Sequence, residues 1–85
     1  MYHVYLLKSR KDNSFYIGYT KDIQRRLQDH NKGFVKYTIS RRPWDLVYYE
    51  TYIALEDATA RKRNLKRFGK AFGQLKQRIK NSLNR

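Results

Sequence analysis

The sequence predicts one small domain of the α/β (α+β) class, with elements in the order β-β-α-β-α-α. Two short runs of strand-forming residues are separated by a turn, and a third run occupies residues 46–52. Between and after these runs, apolar side chains recur at helical spacing. The 85 residues suffice for a single hydrophobic core. Residues 1–85 are therefore treated as one domain with a helical, basic C-terminal segment at 58–85.

The first two predicted strands cover residues 2–7 and 14–19, which are rich in aromatic and branched aliphatic residues. Lys11, Asp12 and Asn13 lie between them and are residue types that favour a turn. The two strands are therefore expected to pair as an antiparallel hairpin. Gly18 is expected at the point where the second strand turns towards the first helix.

The first helix is predicted over about 21–31, with Thr20 as its N-cap and Gly33 just past its end. Ile23 and Leu27 are expected to face the interior, since they lie four residues apart on one side of that helix.

The second helix is predicted from Glu56 to about Arg67, and the third helix ends near Leu83. Gly69 and Gly73 indicate a break between them. Five apolar residues of the two helices follow one another at intervals of three or four positions, which predicts a stripe that faces the core rather than a ligand. The stripe consists of Leu65, Phe68, Phe72, Leu75 and Ile79.

The net charge of +13 is extreme for a chain of this length, and it is unevenly distributed. No acidic residue follows Asp57, whereas residues 58–85 hold ten of the twenty lysines and arginines. Such a segment suits a polyanion, because each neutralised phosphate releases counterions. A merely solvated helix face and an anionic membrane surface are alternatives, although the segment lacks the broad apolar face of an interfacial helix.

Other sequence features favour a cytoplasmic protein that does not span a membrane. No apolar run approaches the ~18 residues of a membrane helix, and no signal-peptide pattern is present. The chain has no cysteine, which excludes disulfides and thiolate metal sites.

The most informative pattern is a ladder of four polar residues. Ten residues lie between Tyr5 and Tyr16, Arg26 follows Tyr16 by ten positions, and His30 follows by four more. Arg26 and His30 share a neighbouring helix face at this spacing. Each has a structural alternative: the tyrosines as cross-strand packing, Arg26 as a solvated cation and His30 as a polar helix end. His3 is expected to point to the opposite face of the sheet from Tyr5.

Together with several further blocks, this ladder resembles the GIY-YIG nuclease domain, in particular its small, single-domain bacterial branch. The resemblance covers the chain from Tyr2 to about Phe72, although the first of the two name motifs keeps only Tyr5. It implies a three-stranded antiparallel sheet flanked by helices and hydrolysis of phosphodiesters. The matching blocks are Tyr16–Asp22, Asp29–Asn31, Arg42–Trp44, Leu46–Glu50 and Leu65–Lys66.

On this resemblance Tyr5, Tyr16, Arg26 and His30 are the catalytic candidates. Arg26 is a permanent cation whose two-pronged geometry suits phosphate oxygens. The two phenols are expected to converge on one patch, where one of them activates or positions a water. A phenol with a pKa near 10 needs a base, and His30 is the candidate for that role.

The metal ligand implied by the family is missing. The resemblance implies a glutamate on the second helix that holds Mg²⁺ or Mn²⁺, and the aligned position is Lys62. An ammonium group has no acceptor for a hard cation, so no metal ligand is assigned there. Glu56 and Asp57 lie on another part of the helix. We expect a metal-dependent endonuclease fold with impaired cleavage; the alternative is a non-catalytic DNA- or RNA-binding module.

Further cations are candidates for contacts with nucleic acid, with DNA favoured over RNA. They also admit the plain interpretation of a solvated basic surface. A ribosome-associated RNA-binding protein would fit the charge but would leave the ladder of Tyr5, Tyr16, Arg26 and His30 unexplained. The six candidates are Lys36, Arg41 and Arg42 in a loop, and Arg61, Lys66 and Lys70 in the C-terminal segment.

Overall fold

A computed structural model describes all of residues 1–85. Its strands are β1 (Tyr2–Ser9), β2 (Phe15–Thr20) and β3 (Trp44–Tyr52). Its helices are α1 (Ile23–Lys32), α2 (Leu55–Arg67), α3 (Gly69–Arg78) and α4 (Lys80–Leu83), with a short 3-10 turn at Ile39–Arg41. The predicted class, sheet and order are confirmed, with the last predicted helix divided at Ile79. None of the helices is both long and apolar enough to cross a membrane.

The three strands form one antiparallel sheet in the order β2-β1-β3, so β1 is central. Tyr5 lies opposite Gly18 on β2 and opposite Tyr49 on β3. The turn between β1 and β2 uses Asn13 at φ 62°, a left-handed conformation that asparagine tolerates better than most residues. Central placement gives β1 a neighbour on both sides and helices on both faces.

The main core lies on the face of the sheet that carries the even-numbered residues of β1. Val4 and Leu6 pack there against side chains of α2 and α3, including Ala58, Leu65 and Leu75. The odd-numbered residues of β1 belong to a second, smaller cluster on the opposite face, because successive strand side chains alternate. That cluster contains Tyr5, Leu7 and Trp44, with Tyr16, Leu27 and Leu46 packed against it.

The start of α1 differs from the prediction. Asp22, not Thr20, is the N-cap: its carboxylate accepts a hydrogen bond from the backbone N–H of Arg25 at 3.1 Å. The Thr20 hydroxyl instead accepts from the Asp22 N–H, also at 3.1 Å. Gly33, at φ 85°, ends the helix as expected. The cap therefore places a carboxylate, rather than a hydroxyl, at the positive end of α1.

The predicted apolar stripe is wrong at Phe68. Leu65 and Leu75 are buried, and Phe72 and Ile79 pack against the core. Phe68 is 56% exposed because it lies in extended conformation at the junction of α2 and α3, outside either helix. The break therefore falls at Phe68, and Gly73 lies inside α3.

Candidate functional site

A cleft of about 540 Å³ opens on the Tyr5 face of the sheet. The end of β2, the first turns of α1 and one side of α2 form its walls. Tyr5, Tyr16, Arg26 and Lys62 line it, together with the neighbouring carboxylates of α1. His30 is fully buried behind Tyr5 and does not reach the cleft wall. Three of the four catalytic candidates therefore share one concave surface, and the fourth supports it from within.

A buried chain of hydrogen bonds joins β1 to the segment after α1. The Tyr5 hydroxyl lies 2.9 Å from Nε2 of His30, and Nδ1 of His30 lies 2.7 Å from the Thr38 hydroxyl. Thr38 in turn donates its single hydroxyl proton to the Val35 carbonyl at 3.3 Å. Nδ1 must then carry the imidazole proton, which leaves the Nε2 lone pair to accept the Tyr5 hydroxyl.

Burial controls the protonation of this pair. Burial raises the pKa of Tyr5 to about 12, opposed by a hydrogen bond from Arg26. Burial also lowers the pKa of His30 to about 4, and the charge of Arg26 lowers it further. At neutral pH the pair therefore consists of a protonated phenol and a neutral imidazole. In this state Nε2 can accept a proton and cannot donate one.

Tyr16 and Arg26 complete the polar lining. Tyr16 is paired with Leu7 in the sheet, so it is offset by two residues from the position opposite Tyr5. Its ring centroid still lies 6.3 Å from that of Tyr5 and 4.9 Å from that of His30. Arg26 is partly exposed, and its Nη1 lies 3.8 Å from Asp29. At this distance the ion pair is loose, so the guanidinium can also bind an anion in the cleft.

Gly18 provides the space for the Tyr5 ring. It lies within β2, directly opposite Tyr5, and not at the turn towards α1 where it was expected. A side chain at this position would occupy the volume of the phenol. The glycine is therefore required for close approach of an aromatic ring rather than for an unusual backbone angle.

His3 was predicted on the opposite face from Tyr5, and this is wrong. The two residues are two positions apart in β1, so strand alternation puts them on the same face. Nδ1 of His3 lies 2.7 Å from the Thr51 hydroxyl, and its ring meets Tyr49 edge-on. His3 does not line the Tyr5 cleft but a neighbouring hollow beside the start of α1.

Two lysines of α2 stand at the edge of the cleft. The Lys62 ammonium lies 5.2 Å from the Tyr19 ring centroid, and that of Lys66 lies 5.2 Å from the Tyr16 ring centroid. Burial and the charge of Lys62 together lower the pKa of Lys66. Cation–π contacts hold both groups towards the aromatic wall. The rim of the cleft is thus positively charged on the α2 side.

The residues present do not fit a metal ion. No group of three or more His, Cys, Asp or Glu side chains is gathered in the chain. Two carboxylates line the cleft, but Asp22 caps α1 and Asp29 faces Arg26. Lys62 adds donors and no acceptor at the position where a third oxygen ligand would be needed.

The three loop candidates lie between α1 and β3 and are exposed. Arg42 donates through Nε to the Ile39 carbonyl at 2.9 Å, and Nε of Arg41 lies 3.4 Å from Asp12. Lys36 lies on the same segment, two residues before the buried Thr38. This segment is connected to the cleft through Thr38 and His30.

The candidates on the C-terminal helices are dispersed. Nε of Arg61 donates to Glu50 at 2.5 Å, on the sheet face opposite the Tyr5 cleft. Glu50 also accepts from the hydroxyls of Tyr48 and Tyr52, so Arg61 is tied into a packed polar cluster. Lys66 is at the cleft rim, and Lys70 is exposed on α3.

Sequence reasoning did not identify Thr38 or Trp44 as parts of the site's support. Nε1 of the buried Trp44 donates to the Thr38 carbonyl at 2.9 Å. The Thr38 hydroxyl holds His30. A threonine in a loop carries no local signal for this role, because the role depends on where the loop folds. The block Arg42–Trp44 matched the family, but it did not indicate that Trp44 supports the site.

The fold and the cleft define a GIY-YIG domain. The family model of the GIY-YIG catalytic domain matches residues 1–74, and the chain belongs to this family. It is 41% identical over 70 residues to a UPF0213 protein of Staphylococcus saprophyticus, covering 81% of this chain and 84% of that one. A UPF0213 protein of Halobacterium salinarum is 38% identical over 72 residues, covering 84% and 92%.

A solved structure supports the same assignment. The solution NMR structure of a UPF0213 protein from Bacillus halodurans superposes with a TM-score of 0.56 at 31% sequence identity. The match covers 93% of this chain and 87% of that one. The resemblance predicted from the ladder is therefore confirmed.

Proposed function

We propose that this chain is a nucleic-acid-binding protein on a GIY-YIG nuclease fold, with metal-dependent cleavage that is weak or absent. One observation carries the proposal: the Lys62 side chain lines the same cleft as Tyr5, Tyr16 and Arg26. A cation therefore stands where the family's chemistry needs a carboxylate. The family assignment supports the nuclease-like fold. The lysine at position 62 is the reason to expect weak cleavage.

A phosphate group suits the charges of this cleft. Arg25, Arg26 and Lys62 outnumber the two lining carboxylates, Asp22 and Asp29. Arg26 offers two parallel N–H groups to phosphate oxygens, whereas Lys62 contributes a compact charge. The partly desolvated Lys66 adds to the field at the rim. Binding through these groups would be insensitive to base sequence, because they recognise the backbone.

The chemical step has only part of what it needs. The neutral His30 accepts the Tyr5 hydrogen bond and so orients the phenol oxygen at the cleft wall. The raised pKa of Tyr5 and the lowered pKa of His30 both oppose transfer of the phenol proton between them. Arg26 can stabilise charge on the phosphoryl oxygens. The two carboxylates of the cleft are engaged elsewhere, since Asp22 caps α1 and Asp29 faces Arg26, and Lys62 supplies no oxygen ligand for a divalent ion. The expected rate of hydrolysis is therefore low.

The second candidate is an active endonuclease used in DNA repair or processing. The hydrogen-bonded chain Tyr5–His30–Thr38 favours it, because the groups expected to activate a water are in contact. This candidate requires either a metal held by other residues or catalysis by Arg26 and Lys62 alone. Nicking of DNA separates the two candidates directly.

The test combines binding and cleavage by the unmodified chain. The affinity for DNA should fall steeply as the salt concentration rises from about 50 to 200 mM. Arg26→Ala should weaken binding of all sequences and reduce the salt slope by about one. Arg10→Ala is the matched control, since Arg10 is paired with Asp45 outside the cleft and little change is expected.

Supercoiled plasmid should stay intact with Mg²⁺, Mn²⁺ or EDTA. No binding at low salt, or a salt-independent affinity, would refute the binding function. Efficient nicking that EDTA abolishes would establish the endonuclease instead.

A further inference from the structure

Two aromatic rings on the loop between α1 and β3 face the solvent. Phe34 is 73% exposed and Tyr37 is 84% exposed, more than any other aromatic side chain of the chain. Neither contributes to either hydrophobic cluster. Exposing two large rings a few residues apart gives no stability to the fold, which suggests that they contact a ligand.

The loop that carries these rings is itself held firmly. Val35 and Thr38, which alternate with the exposed residues, are buried. The Phe34 N–H donates to the Asp29 carbonyl at 2.9 Å, and Trp44 donates to Thr38 at 2.9 Å. The rings are therefore presented on a fixed backbone, which lowers the entropy cost of binding a ligand.

The charge of the loop indicates the ligand. No acidic residue lies between Asp29 and Asp45, whereas that interval contains four cations. They are Lys32, Lys36, Arg41 and Arg42. Exposed aromatic rings among cations match a chain that carries both π-faces and phosphates, which is how single-stranded nucleic acids are bound. An intact duplex hides its base faces within the stack and presents only phosphates to such a loop.

We propose that Phe34 and Tyr37 form a base-stacking platform that selects unpaired nucleic-acid segments over intact duplex. Lys36 and Arg42 would contact the adjoining phosphates. The proposal rests on the proposed binding function and names its substrate class. The platform is coupled to the cleft, since the Phe34 N–H bonds to Asp29, which lines the cleft, and Thr38 bonds to His30.

The experiment measures fluorescence anisotropy with three labelled probes: a thymidine 12-mer, a 12-mer of abasic sites with the same phosphates, and a 12-base-pair duplex. The unmodified chain should bind the thymidine 12-mer at least about tenfold more tightly than the abasic one, because stacking on aromatic side chains is lost without bases. The double variant Phe34→Ala/Tyr37→Ala should bind both 12-mers equally. Its affinity for the abasic strand and the duplex should be unchanged.

The matched control is Tyr49→Ala/Phe68→Ala, which removes two exposed aromatic rings outside this loop. It should retain the preference for the thymidine 12-mer. Two results would overturn the stacking platform while the binding function stands. One is an equal loss of affinity for all three probes in Phe34→Ala/Tyr37→Ala, and the other is equal affinity of the unmodified chain for the thymidine and abasic 12-mers. Failure of every probe to bind at low salt would overturn both. Loss of binding to phosphatidylglycerol vesicles in the double variant, with thymidine binding intact, would assign the loop to membranes instead.

Discussion

Gly18 and Tyr5 face each other across the β1–β2 ladder, and a Cβ atom on Gly18 would lie 2.4 Å from the Tyr5 hydroxyl oxygen. That distance is well below van der Waals contact. The Tyr5 ring therefore lies over the glycine backbone, and this placement brings its hydroxyl to His30. The segment Tyr16–Gly18 thus contributes to the site in two ways: Tyr16 lines the cleft, and Gly18 makes room for Tyr5 on the neighbouring strand.

Gly18→Ala is expected to displace the Tyr5 ring and break its hydrogen bond to His30. Overpacking of this kind costs about 1–3 kcal/mol in unfolding free energy. Gly73→Ala is the matched control, because a methyl group there meets nothing within 4 Å and lies inside α3. It should stabilise the protein by roughly 0.5–1 kcal/mol. Urea denaturation measures both, and equal effects in the two variants would contradict the close approach at Gly18.

Thr38→Val should destabilise the fold by about 1–3 kcal/mol, because it leaves a buried imidazole N–H without a partner. The chain contains its own control: Thr51 makes the same 2.7 Å contact with His3, but at an exposed position. Thr51→Val should cost much less, since water replaces the hydroxyl. Denaturation midpoints test the difference, and ¹⁵N NMR should show the Nδ1–H tautomer of His30 in the unmodified chain. An Nε2–H tautomer would reverse the direction of the Tyr5 hydrogen bond.

The low pKa of His30 makes stability depend on pH. The pKa is about 4 in the folded protein and about 6.5 in an unfolded chain, so the unfolded state takes up the proton first. The contribution of His30 to stability is complete above about pH 6.5 and is lost as pH falls towards 4. The advantage of the unmodified chain over His30→Gln in urea should therefore shrink across this interval. An imidazole that titrates near pH 6.5 by NMR would contradict the burial effect.

Lys62→Glu should create Mg²⁺-dependent cleavage while slightly weakening metal-free DNA binding. A carboxylate there would supply an oxygen ligand, and metal stabilisation of the transition state is worth several kcal/mol. The rate should therefore rise by orders of magnitude. Lys80→Glu changes the net charge equally on α4, outside the cleft, and should show no cleavage.

Plasmid nicking with Mg²⁺ and with EDTA compares the two variants with the unmodified chain. Equal Mg²⁺-dependent activity in the unmodified chain and Lys62→Glu would show that other residues hold the metal. Inactivity of both would favour a binding module in which the cleft no longer supports hydrolysis.

Local signals account for what the sequence predicted well. The hairpin follows from two strand-forming runs around Asn13, and the start of α2 from acidic residues beside Leu55. The resemblance to the family predicted that Tyr5 and Arg26 belong to one site, and both line the same cleft. These features depend on neighbours in the chain or on a spacing that the family shares.

Features that depend on tertiary packing were not predictable in the same way. Thr38 becomes part of the site only because its loop folds back over His30. Phe68 continues the helical spacing, but the chain leaves the helix there. The exposure of Phe34 and Tyr37 likewise follows from which loop residues are buried, and composition does not specify this.

Tyr5 and His30 are 3% and 0% exposed, so the residues that would take part in the chemistry are also packed in the interior of the domain. Lys62 lies at the surface edge of the cleft, where a change of charge leaves the interior undisturbed. A single substitution at position 62 could therefore remove hydrolysis during evolution without destabilising the fold. In such a protein Tyr5 and His30 would still be needed to fill the interior, whether or not hydrolysis took place.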